Sequence, residues 1–90
     1  MDTVRRDEHG NAAEVRLSSV ANAMLLLKSF AAGHDELGIS AMAEHLGLAK
    51  STVHRLASTL ADGGMLEHNE ATGKYRLGWA VFRLGSLVHR

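Results

Sequence analysis

Cysteine is absent from these 90 residues, so no disulfide staples the chain and no thiolate can hold a metal. Proline is absent too, which leaves breaks between elements to glycine and short polar runs. No apolar stretch approaches the roughly 20 residues that cross a bilayer. The opening Met1-Asp2-Thr3-Val4-Arg5-Arg6 is polar with no apolar run behind it, so it does not read as a secretory signal. The cytoplasm is the default compartment. Net charge is zero, but it is unevenly spread. Residues 1–47 carry four basic and seven acidic side chains, and residues 48–90 carry six basic and three acidic ones. A chain this short supports one small domain with one modest core.

What is present is a succession of periodic segments. Residues 1–17 lack sustained periodicity and are rich in charge, so they read as a flexible leader; a less favoured reading has Arg5 and Arg6 following a minor groove as an arm. Ser18-Ser19 offers a helix cap. Val20, Ala23, Met24, Leu27 and Ala31 then recur at helical spacing, up to Gly33 and Asp35-Glu36. A second, short helix follows Ser40, with Ile39, Met42, Ala43 and Leu46 inward and Gly47 as its stop. A third spans about Lys50 to Asp62, with Val53, Leu56, Ala57 and Leu60 on one stripe and Gly63-Gly64 ending it. The expected core is Val20, Met24, Leu27, Leu46, Val53, Leu56 and Leu60. The period then drops to two in Met65–His68 and Lys74–Leu77, joined by Asn69–Gly73, as in a hairpin. Leu37–Ile39 offers a third short strand. From Trp79 to Arg90 the pattern is helical again, with Val81, Leu84 and Val88 on one side. No cap closes this last helix, and it is expected to be the start of a longer element.

Ile39–Ser58 meets the demands of a helix-turn-helix. Two helices crossing steeply need a small residue at the crossing, and Ala43 is small. Their tight turn needs a residue that tolerates positive φ, and Gly47 stands four positions later. Met42, Leu46, Leu48, Val53 and Leu56 supply the apolar bracing. The outer stripe of the third helix carries Lys50 at its start, then Ser51, His54, Arg55, Ser58 and Asp62. Hydroxyls and cations of this kind suit phosphates and base edges. A helix meant only for solvent more often carries mixed Glu–Lys pairs. Arg55 is the expected base reader, through guanine O6 and N7. His54 suits a base or a phosphate. Ser51 and Thr52, in the first turn, suit a phosphate.

The hairpin behind this helix reads as a wing. Leu66, Tyr75 and Leu77 are expected to face the core, with Lys74 and Arg76 on the opposite face, and Thr72-Gly73 supplies the tight turn. The fold class is therefore mainly α with a small β-hairpin wing: a winged helix-turn-helix over 18–78, followed at 79–90 by a further helix.

These residues carry a family resemblance. Gly47-Leu48-Ala49-Lys50-Ser51-Thr52-Val53-His54-Arg55-Leu56, then Gly64-Met65-Leu66-Glu67 and Thr72-Gly73-Lys74-Tyr75-Arg76-Leu77-Gly78, resemble the IclR family of bacterial transcription regulators. Ser19-Val20 and Leu25-Leu26-Leu27 fit that family's first helix. The resemblance covers about 18–88. It implies an N-terminal DNA-binding domain, a linker helix from Trp79 that helps pair subunits, and a larger domain, absent from this chain, that senses a small molecule. It implies dimers or tetramers on DNA, as repressors or activators, with Lys50, Ser51, Thr52, His54 and Arg55 in the recognition helix and Lys74 and Arg76 in the wing. Two departures stand out: Ala49 where the family often has proline, and Asn69-Glu70 near a frequent Asp-Pro.

The six histidines show no i, i+4 pair on one helix and have no cysteine to assist them, so neither a metal nor another cofactor is expected. No nucleophile–base pair sits in a plausible cleft, and the domain is too small to enclose a substrate, so the chain is not read as an enzyme. Trp79 and Phe82 at helical spacing read as core or dimer contacts. The expected partners are a palindromic double-stranded DNA and a second copy of the chain. The competing reading is a winged helix used only for protein–protein contact or dimerisation, because fold does not fix function.

Overall fold

The computed structural model describes residues 12–89. Helix α1 runs Ala12–Lys28 and tightens into a 3-10 turn over Ser29–Ala32. Helices α2 (Ile39–Leu46) and α3 (Lys50–Asp62) follow, then strands β1 (Leu66–Asn69) and β2 (Lys74–Leu77), then helix α4 (Trp79–Ser86). α1, α2 and α3 pack on one another, and the antiparallel hairpin closes the layer against α3. This is a winged helix-turn-helix.

α1 begins six residues before the expected Ser18 cap, so part of the segment read as leader is helical. Ala12, Ala13, Glu14, Arg16 and Leu17 are good helix formers, and no glycine interrupts the chain between Gly10 and Gly33, so the serines fall inside the helix. Residues 1–11, with Arg5 and Arg6, lie outside the described residues.

The buried face of α1 also differs from expectation. Leu26 and Phe30 are buried, while Val20 is 58% and Met24 53% exposed. Leu27, Leu46, Leu56 and Leu60 are half-buried around the core rather than at its centre. The centre is Leu26, Phe30, Met42, Ala43, Val53, Ala57, Leu66 and Tyr75. α1 is apolar on most sides from Val20 to Leu27, so periodicity alone does not select a face. Phe30, the largest side chain it brings inward, sits in the 3-10 turn, where the helical phase changes.

α3 has the expected bounds, and Val53 and Ala57 form its inner stripe. Gly63 has φ −89° and the left-handed residue is Gly64, at φ 81°. The third strand shrinks to one residue: Leu37 N donates to Tyr75 O at 2.9 Å and Tyr75 N donates to Leu37 O at 2.8 Å. It cannot extend, because α2 already begins at Ile39 after an extended Gly38.

Leu77 lies on the core-side face of the hairpin but is not buried there; it is 42% exposed. It pairs with Leu66 at the end of the hairpin, but β1 is the strand that lies on α3. α4 stops at Ser86 rather than running to Arg90, just past Gly85, the poorest helix former within it. Trp79 and Phe82 stack with ring centroids 4.8 Å apart, and both are exposed, as are Leu84, Leu87 and Val88. They are not core residues of this domain.

Candidate nucleic-acid interface

The turn between α2 and α3 determines where α3 points. Gly47 sits at φ 69°, and its N–H and that of Leu48 both donate to Ala43 O. A residue with a Cβ resists that conformation. Ala43 is buried at the crossing, so α2 and α3 approach closely, with Val53 and Ala57 inward. The opposite stripe of α3 is thereby turned outward. Lys50, Ser51, His54 and Arg55 are exposed, and Thr52 and Ser58 are half-buried at its margin.

Spacing places Ser51, His54, Arg55, Ser58 and Asp62 on one face, so that face holds the expected α3 site residues except Thr52, with Lys50 at its head. Ala49 is extended, no side chain caps α3, and its first turn contains no acid. The leading amides therefore have no intrahelical acceptor, and the helix dipole adds partial positive charge there. Arg55 and Lys50 form no ion pair among the described residues. Arg55 does not pair with Asp62, about two turns further along the same stripe. Thr59 Oγ1 donates to the Arg55 carbonyl at 3.0 Å, a backbone contact, and among the described residues the guanidinium has no hydrogen-bond partner.

The wing contributes the second element. In its register Leu66 faces Leu77, Glu67 faces Arg76, His68 faces Tyr75 and Asn69 faces Lys74. Alternation puts Leu66, His68, Tyr75 and Leu77 on one face and Glu67, Asn69, Lys74 and Arg76 on the other. The His68 and Tyr75 rings meet at 4.6 Å. Lys74 and Arg76 are both exposed, but they differ in ion pairing. Arg76 Nε donates to Glu67 Oε1 at 3.0 Å in an exposed ion pair, whereas Lys74 forms no ion pair among the described residues.

Two features of the wing were not read from the sequence. One is the Glu67–Arg76 pair, which alternation across a hairpin could have suggested. The other is the tip. Asn69 Oδ1 accepts from Ala71 N at 2.9 Å and from Thr72 N at 3.4 Å, an Asx turn whose signal is an asparagine opening a polar loop. Asn69 also reaches back to Glu36. Among the described residues, no group of three or more His, Cys, Asp or Glu side chains could hold a metal ion, and no helix is long and apolar enough to cross a membrane.

The IclR helix-turn-helix domain matches residues 19–70 of the chain, the span that contains α2, the Gly47 turn and α3. The chain belongs to the IclR family. It carries the helix-turn-helix domain of a DNA-binding transcriptional regulator. It is 40% identical over 70 residues to the glycerol operon regulatory protein of Streptomyces coelicolor, covering 78% of this chain and 28% of that protein. It is 38% identical over 72 residues to the transcriptional regulator XynR of Escherichia coli, covering 80% of this chain and 29% of that protein. The crystal structure of an IclR family regulator from Brucella abortus superposes with a TM-score of 0.73 at 34% identity, covering 87% of this chain and 30% of that one. The chain thus spans less than a third of the length of these IclR relatives, all of which are transcriptional regulators rather than enzymes.

Proposed function

We propose that α3 enters a DNA major groove with Arg55 on the base edges, and that the hairpin rides the adjacent backbone or minor groove. Arg55 reads a guanine through two hydrogen bonds. His54 lies beside it on a base or a phosphate. Lys50, Ser51, Thr52 and Ser58 line the phosphates at the head and margin of the helix, where the free amides already favour an anion. Lys74 takes the wing's phosphate, and Arg76 joins it by leaving or sharing Glu67. The observation that carries this reading is the α3 stripe: exposed cations and hydroxyls, unengaged by any carboxylate, at the uncapped positive end of a helix.

Two copies of the domain bind a palindromic operator, as two-fold pairing of such motifs requires. The DNA-reading unit runs from α1, which begins at Ala12, to about residue 78, and 79–90 begin the link to an effector-sensing domain. The place of action is the cytoplasm, with the chromosome.

The test is fluorescence anisotropy with a random duplex pool and with duplexes selected from it, across a salt series, for the native chain and Arg55→Ala. The native chain should bind with a steep salt dependence. Arg55→Ala should lose about 1–3 kcal/mol of discrimination against the wrong base. Native protein that ignores DNA at low salt, even as a forced dimer, would transfer the fold to the protein-contact role.

A further inference from the structure

The tip of the wing is its least supported part. Leu66 and Tyr75 are buried, but Glu70–Gly73 is exposed. A two-stranded hairpin is marginal on its own, so what holds the tip decides whether Lys74 has one position or several. Among the described residues, one side chain from outside the wing hydrogen-bonds to that tip. It is Glu36, half-buried in the segment ahead of α2. Asn69 Nδ2 donates to Glu36 Oε2 at 3.0 Å, and Thr72 Oγ1 donates to Glu36 Oε1 at 3.4 Å. The two carboxylate oxygens therefore hold both sides of the loop.

Asn69 and Thr72 also organise the loop from within. Asn69 Oδ1 accepts from the Ala71 and Thr72 amides, and Lys74 N donates to Thr72 Oγ1 at 3.1 Å. A short hydrogen-bonded path thus runs from Glu36 to the backbone of Lys74. The Leu37–Tyr75 backbone pair ties the same segment to β2. A Cβ on Gly38 would lie 3.8 Å from Lys74 Cγ, so the lysine stem runs alongside this segment as well. Electrostatics alone argues against an acid here, because a carboxylate beside a DNA-facing wing repels phosphate. Hydrogen bonds to an ionised acceptor are roughly twice as strong as neutral ones, and that is what the carboxylate supplies.

We propose that Glu36 is a wing-positioning residue, which clamps Asn69 and Thr72 and thereby sets where Lys74 meets the DNA backbone. The role depends on the wing touching DNA, as proposed above.

The test uses Glu36→Gln and Glu36→Ala, each with and without Lys74→Ala. Glutamine removes the charge but keeps the reach: its carbonyl accepts from Asn69 and its amide donates to Thr72 Oγ1. Alanine removes the clamp. Binding is measured across a salt series to a duplex selected from a random pool by the native chain. Loss of one lysine–phosphate contact lowers the salt slope by about 1. Lys74→Ala should cost that much in the native and Glu36→Gln backgrounds, and almost nothing in Glu36→Ala. Amide exchange at Ala71, Thr72 and Lys74 should accelerate in Glu36→Ala alone, while the Val53 and Ala57 amides stay protected in all three. An equal effect of Lys74→Ala in all three backgrounds would overturn the clamp and leave the wing contact standing. No effect of Lys74→Ala in the native background would remove the wing contact, and the clamp's role with it.

Discussion

Gly47 and Gly78 resist substitution for different reasons. Gly47 is held at φ 69°, yet a Cβ there would meet nothing within 4 Å. Its cost on substitution is backbone strain alone, about 1–2 kcal/mol for Gly47→Ala. Gly78 is extended at φ −93°, a conformation any residue adopts, but a Cβ would lie 2.2 Å from Gly64 O. The turn after α3 and the junction between β2 and α4 must move apart to admit it. Gly78→Ala should therefore destabilise the domain more than Gly47→Ala in urea titrations, and the opposite order would show that the junction yields easily. At the same scale, Arg55→Lys separates charge from geometry. Lysine keeps the positive charge but cannot make the two-pronged bond, so preference for the selected sequence should fall while the salt slope holds. A fall in slope with preference intact would make Arg55 a phosphate contact.

Among the elements, α1 tests the packing most directly. Leu25 is 52% and Met24 53% exposed, beside a fully buried Leu26, so neighbouring apolar residues should respond very differently to truncation. Leu26→Ala should cost about 2–5 kcal/mol. Met24→Ala should stay within about 0.5 kcal/mol. Urea midpoints that rank them the other way would restore the Val20–Met24 face as the core. This contrast marks what the sequence makes legible. α3 could be bounded closely because its stripes alternate apolar and polar, with Gly47 shortly before it and Gly63-Gly64 after it. The hairpin could be read because its period changes to two. α1 offers apolar residues on most sides, so its inward face depends on Phe30 and the 3-10 turn, a tertiary choice that spacing does not encode. The candidate site divides in the same way. Its α3 residues follow from one helical stripe, whereas the Glu67–Arg76 pair and the Glu36–Asn69 clamp, which joins residues 33 positions apart, depend on register and on how the segment before α2 meets the wing.

For the whole molecule, the exposed apolar side chains carry the argument, because globular domains seldom leave a large apolar patch to water. Trp79 and Phe82, stacked on one face of α4, are each more than half exposed, and neither belongs to the core that α1, α2 and α3 share with the wing. A second copy is the occupant proposed here, since a two-fold contact lets one patch cover itself. Two α3 helices read successive half-sites only when they lie about 34 Å apart, one turn of the duplex. The coupling has a measurable consequence. Once one half-site is engaged, the second binds as an intramolecular event at high effective concentration. Phe82→Glu places a charge in the patch without touching α3 or the wing. It should convert a dimer to a monomer in sedimentation equilibrium. It should also weaken binding to a duplex with two half-sites by at least an order of magnitude, while leaving a single half-site nearly unchanged. If the variant still sediments as a dimer, or the native chain prefers neither duplex, α4 is not the pairing surface and its aromatic stack must serve another contact.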